Sequence, residues 1–271
     1  MSHPIAVSSW SLHHMLGLTY DNGPGASVPA KRRDTFGAPR ISLEDVPAAL
    51  AARGYHRLEL CHFHLASQDA GYLKKIRDAF AADNVIIQTL LIDDGDITKA
   101  ETRPRDMAWI QSWIHSAAVL GAKYARVIAG KSQPSDEALQ MSVEGLKVVS
   151  ELGAKLGVRV VTENWFDLLS GPKEVHYVLD SVGKNLGFLA DTGNWHGASK
   201  YSDLASIFAR AELCHAKASF LAEKKIDEPD FAACLKAAWV AKYQGPFTLI
   251  FDSAGEEWDG LEIERRFIED M

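Results

Sequence analysis

The stretch "VRVVTENW", residues 158–165, decides how this chain reads. Val158, Val160, Val161 and Thr162 are β-branched, the residue type that suits a buried strand. The run then stops at a carboxylate, Glu163. An ionisable group at the end of a buried strand needs either water or a partner. Which of the two applies here depends on how the other strands of the chain end.

Seven further runs have the same character: "IAVSSW" (5–10), "RLELCHF" (57–63), "VIIQTLL" (85–91), "YARVIAG" (124–130), "LGFLAD" (186–191), "LCHAK" (213–217) and "FTLIFD" (247–252). Longer segments with helical spacing separate them. After Pro104, the residues Trp109, Ile110, Trp113, Ile114, Ala117 and Ala118 fall on one face, which makes the two tryptophans core residues. Leu139, Val143, Leu146, Val149, Leu152 and Leu156 repeat the pattern. In "SLEDVPAALAARG", Ser42 and Asp45 have capping-box spacing. Pro172 and Pro229 sit where a first-turn proline is tolerated.

Eight such strand–helix units in about 250 residues match the arithmetic of an α/β (β/α)8 TIM barrel. No glycine-rich linker divides the middle, so residues 1–271 read as a single domain. A doubly wound open sheet is the competitor, but no GxGxxG follows the first strand.

Composition narrows the function classes. Apolar residues make up 47% and charged residues 24%, ordinary for a globular chain, and the formal charge of −7 argues against a nucleic-acid partner. Cys61, Cys214 and Cys234 form no CxxC pair and read as buried free thiols in a reducing compartment. The opening "MSHPIAVSSW" has no leader pattern and no apolar run reaches membrane length, so the expected location is cytoplasmic. Residues 17–40 are rich in Gly, Pro and polar residues and follow the first strand, where a lid or binding loop belongs. Lys31, Arg32 and Arg33 in that loop either meet a phosphate or form a solvated charge cluster.

In a (β/α)8 barrel the C-terminal strand ends converge on one site. The fifth run ends in Glu163, the sixth in Asp191, and the seventh carries His215 and Lys217; the second carries His62 and His64, and the eighth ends in Asp252. Glu163, Asp191 and His215 follow one another at intervals of one strand–helix unit. Two carboxylates and an imidazole suit a divalent Mn, Mg, Co or Zn ion. Each alone has a structural reading as well: a strand-end Asp is often a helix cap, and a lone His a hydrogen-bonded core residue.

The segments "TENW", "LADTGNW", "CHAKASF" and "GPFTLIFDSAGEEWDGL" resemble the xylose isomerase-like superfamily of (β/α)8 barrels. That group includes sugar and sugar-phosphate isomerases and epimerases and, more distantly, endonuclease IV. The resemblance implies a metal held by Glu163, Asp191 and His215. The family's fourth ligand, a strand-8 Glu, is replaced by Ile250, with Asp252 two residues on. The DxxH of the endonuclease branch is also incomplete, because Asn194 stands at the matching place and His196 lies two residues later.

The expected activity is therefore metal-dependent isomerisation or epimerisation of a sugar or sugar phosphate by proton transfer through an enediolate. A lyase or dehydratase, or a non-catalytic carbohydrate binder, is the alternative. Glu163 or Asp252 would be the base and Lys217 an oxyanion partner. Trp10, His62, His64, Trp165, Asn194 and Trp195 are candidate substrate contacts. The Trp109/Trp113 helix is a candidate homodimer face.

Overall fold

The computed structural model describes residues 3–271. Eight parallel strands close into a barrel: β1 Ile5–Ser8, β2 Arg57–Cys61, β3 Ile86–Ile92, β4 Tyr124–Val127, β5 Arg159–Glu163, β6 Gly187–Asp191, β7 Leu213–Ala216 and β8 Phe247–Leu249. Each strand pairs with its chain neighbours, and β1 pairs with both β2 and β8 to complete the ring. The helices that follow them are α1 Val46–Ala51, α2 Ala70–Ala82, α3 Arg103–Leu120, α4 Asp136–Leu156, α5 Pro172–Val182, α6 Lys200–Phe208, α7 Glu228–Val240 and α8 Glu257–Asp270.

Strand alternation sorts the residues into two layers. Leu58, Leu60, Val127, Val160, Phe188 and Cys214 face outward and join the core shared with the helices. Val161, Leu189 and Leu213 face inward and pack on one another beneath the barrel mouth. Glu163 follows Val161 by two residues, so it faces inward one layer higher. Its position above an apolar floor begins to answer why a buried strand ends in a carboxylate.

Several local expectations change. Ser42 and Asp45 form no capping box, because Ser42 Oγ donates to Asp45 Oδ2 at 2.6 Å while α1 begins only at Val46. β2 stops at Cys61 and His62–His64 coil into a 3-10 turn, so the two histidines do not share strand parity. Trp113 is fully buried, and Trp109 is partly buried with its indole donating to Asn22 O at 2.7 Å.

Residues 17–40 are not a structureless loop. Thr19–Asp21 and Lys31–Arg33 pair as an antiparallel hairpin, and Asn22 Nδ2 pins it by donating to His62 O and Leu65 O, both at 3.1 Å. All three cysteines are buried free thiols. No described helix is long and apolar enough to cross a membrane.

Candidate active site

Glu163, Asp191 and His215 each offer one ligand atom, and these atoms lie within 4.8 Å of one another. They come from three adjacent strands whose register sets Asp191 beside His215 and Glu163 beside Leu189. His215 is at the centre of the group. Its Nδ1 lies 3.4 Å from both Glu163 Oε1 and Asp191 Oδ2, and its Nε2 lies 2.7 Å from Glu59 Oε2.

Glu59 was not expected from the sequence. It faces inward from β2, is completely buried, and accepts hydrogen bonds from Gln88 Nε2 at 3.0 Å and Thr89 Oγ1 at 2.9 Å. Burial opposes its charge, but the His215 contact and these two donors outweigh it and hold the carboxyl below its usual range. For His215 itself, burial lowers the pKa while Glu163, Asp191 and Glu59 raise it; the carboxylates prevail, well above the ordinary value. Asp191 is likewise held down against burial by His215, by the Gly193 N–H at 2.6 Å and by Lys217.

These residues fit a divalent ion. The Glu59 bond fixes the imidazole and leaves Nδ1 facing two carboxylates, the arrangement that orients histidine ligands in metal centres. An ion there would replace the Nδ1 proton, the exchange that couples metal binding to pH. Ile250 reaches the same cavity and provides no fourth ligand.

A second unexpected residue is Arg126 on β4, only 3% exposed. It pairs with Asp93, and its Nε lies 3.2 Å from Glu163 Oε2, although not along the N–H direction of a hydrogen bond. Its guanidinium lies 4.8 Å from the centroid of the Trp165 ring. Burial works against the Arg126 charge, and Asp93 and Glu163 more than restore it, so its pKa is raised. Asp93, also opposed by burial, is lowered by Arg126 and His62.

Above this floor lies a cavity of about 480 Å³. Trp10, Trp165, Asn194, Lys217 and Asp252 line it along with the three candidate ligands. Asn194 Nδ2 donates to Glu163 Oε1 at 3.0 Å, and Lys217 Nζ donates to Asp252 Oδ2 at 2.7 Å. A Cβ at Gly193 would sit 2.8 Å from Lys217 Cδ, so the glycine lets this lysine lie along the wall. Asp252 is outside the three-residue ligand group.

The structure brings the other sequence candidates elsewhere. His62 is buried against Trp109 and Trp113, its Nδ1 accepting from the Asp93 N–H at 3.1 Å. His64 is buried with Nδ1 at 3.0 Å from Ser9 Oγ. Trp195 is a core residue whose indole donates to Leu169 O at 3.0 Å. Phe63 and Phe166 wall the cavity instead. Phe166 holds φ 57 and ψ 176, a backbone region that costs a non-glycine residue energy and that clusters at binding sites.

Residues 47–268 match the model of the family described as xylose isomerase-like TIM barrel. The chain belongs to that family. Several solved structures superpose over nearly all of it. An L-ribulose 3-epimerase matches with a TM-score of 0.72 at 16% identity, covering 99% of this chain and 94% of that one. A D-allulose 3-epimerase from Methylomonas sp. gives 0.69 at 17% identity, covering 100% and 99%. A xylose isomerase-like TIM barrel protein from Mycobacterium smegmatis, solved in complex with magnesium, gives 0.70 at 13% identity, covering 98% and 96%. At these identities the likeness is one of fold. Compared by sequence, no curated protein matches the chain.

Proposed function

We propose that the protein is a divalent-metal-dependent isomerase or epimerase of a small carbohydrate-like compound. The observation that carries this reading is the convergence of Glu163, Asp191 and His215 at the floor of a cavity walled by Trp10 and Trp165. The family, and the printed activities of the L-ribulose and D-allulose epimerases that share its fold, support it. A sugar presents an apolar C–H face and an array of hydroxyls, which suits aromatic walls above a polar floor.

An ion held by these three residues would polarise a substrate carbonyl and lower the energy of negative charge developing on its oxygen. The remaining work belongs to the side chains. Glu163 has one oxygen accepting from Asn194 and the other beside Arg126, so it is held in place as a ligand rather than free to carry a proton. Asp252 stands nearer solvent, with Lys217 as its only hydrogen-bonding partner among the described residues. It is the better base for removing a proton next to the carbonyl, a role worth about 10² to 10⁴ in rate. Lys217 returns a proton or stabilises the oxygen that gains charge. Trp10 and Trp165 orient the ring or chain and exclude water.

Ile250 favours a second reading. With an apolar residue where the family holds a carboxylate, one acid–base pair serves one face of the substrate, which also suits elimination of water on the same scaffold. Elemental analysis of untagged protein, purified without chelator and beside Glu163→Ala, tests the metal. A near-stoichiometric divalent ion lost in the variant is expected. Solvent-deuterium incorporation into a ketose without net loss of water then separates isomerisation from dehydration. No ion in the wild type after incubation with Mn, Co and Zn would sink the proposal.

A further inference from the structure

We propose that the compound entering this cavity is uncharged, a polyhydroxy aldehyde or ketone bearing neither phosphate nor carboxylate. The inference rests on the carbohydrate reading above and goes beyond it, because the family resemblance covers sugars and sugar phosphates alike. An anionic substrate group needs an unpaired cation, or free N–H groups at a helix start, to offset its desolvation.

Both permanent cations lining the cavity are already paired. Arg126 lies between Asp93 and Glu163, under the Trp165 ring; its Nε and Nη1 have no hydrogen-bond partner but are buried. Lys217 is bound to Asp252 at 2.7 Å. This second pair is partly exposed and by itself weak. If Lys217 turned to a phosphate, however, Asp252 would be left facing a like charge. The lining carboxylates Asp93, Glu163, Asp191 and Asp252 outnumber the two cations by two, an excess that a single divalent ion balances. Glu59, buried beneath His215, adds a further carboxylate to the site. The charge of the site never turns positive.

The phosphate seat common in (β/α)8 barrels, at the loops after strands 7 and 8, is also lined by carboxylates here. At the start of α7 the Asp227 carboxylate accepts from the Asp230 N–H at 3.2 Å. At the start of α8 no side chain caps the first N–H groups, but Glu256, Glu257 and Asp259 place three carboxylates there, and Lys224 is paired with Asp259 at 2.8 Å. On the hairpin over the mouth, Arg33 pairs with Asp21 and Arg32 with Asp34 at 3.2 Å. The basic cluster that the sequence offered to a phosphate is largely neutralised by its own acidic neighbours.

Isothermal titration of the Mg²⁺-loaded full chain with D-fructose, D-ribulose and their terminal phosphate esters tests this. At least one free ketose should bind about tenfold or more tighter than its ester, as like-charge contact predicts. Asp252→Asn should raise ester affinity by roughly tenfold while changing the free ketose less, because it removes the charge facing the ester. Esters that bind as well as the free sugars, or an Asp252→Asn variant with unchanged ester affinity, would overturn the inference and leave the carbohydrate reading standing. If neither sugars nor esters bind, that reading falls and takes this one with it.

Discussion

His215, on β7, and His64, in the turn after β2, are both buried in the upper part of one barrel, yet they are set in opposite charge states. His64 has Ser9 Oγ at 3.0 Å from Nδ1, and no hydrogen-bonding partner at Nε2. Burial is the largest influence and lowers its pKa to about 3. His215 meets the same desolvation but has Glu59, Glu163 and Asp191 around it, and its pKa rises well above the ordinary value. Burial alone makes a histidine a neutral core residue. Carboxylates from β2, β5 and β6 turn it into a centre that holds positive charge, whether a proton or a metal. The cavity shows the same contrast, with β5 to β7 contributing the candidate ligands while Trp10, Phe63, Leu91 and Ile250 supply apolar lining.

The largest effect comes from weakening the carboxylate side. Glu59→Gln keeps shape and hydrogen bonding but removes the charge behind His215. Metal affinity, measured by competition with a fluorescent chelator, should fall about 10- to 100-fold, as for other outer partners of histidine ligands. An unchanged affinity would mean that His215 is not the ligand, or that Glu59 does not orient it.

The neutral histidine gives the next effect. Its folded pKa, about 3, lies below its ordinary value of 6.5, so between those values the unfolded chain binds a proton that the folded chain does not. Stability from this group is therefore complete above pH 6.5 and is lost as pH falls. The loss between pH 6.5 and 5 is roughly 1.6 kcal/mol, about 16-fold in the folding constant. Urea unfolding at the two pH values should show His64→Gln losing less stability than the wild type by about that amount. Equal pH dependence in both proteins would show that His64 is not held neutral.

Much of this was legible in the chain. The eight β-branched or aliphatic runs marked the eight strands to within a few residues, because strands covered on both faces need continuous apolar sequence. Glu163, Asp191 and His215 stood out because an ionisable residue ending such a run is conspicuous. Glu59 and Arg126 carried the same signal in plainer form, flanked by Leu58 and Leu60 and by Ala125 and Val127, and were passed over because they sit within strands rather than at their ends. His62 and His64 misled for the converse reason: alternation was extended beyond Cys61, where the backbone had already left the strand. The pairing of Lys217 with Asp252 joins residues 35 apart, and nothing in either local segment announces it.

The smallest expected effect tests the comparison from the apolar side. Ile250 is 6% exposed, lines the cavity, and follows β8 just above Thr248, the register partner of His215. Ile250→Glu places a third carboxylate at the strand end next to His215. Added ligand charge tightens divalent-ion binding, here by roughly tenfold, since burying the new charge cancels part of the gain. The same variant offers a second carboxylate base beside Asp252, so inversion at the carbon that exchanges its proton should rise relative to the wild type. Tighter metal binding without inversion would confine the role of Ile250 to the ligand set. Weaker binding would mean that residue 250 does not face the ion, and that the apolar side is a wall the family chemistry never needed here.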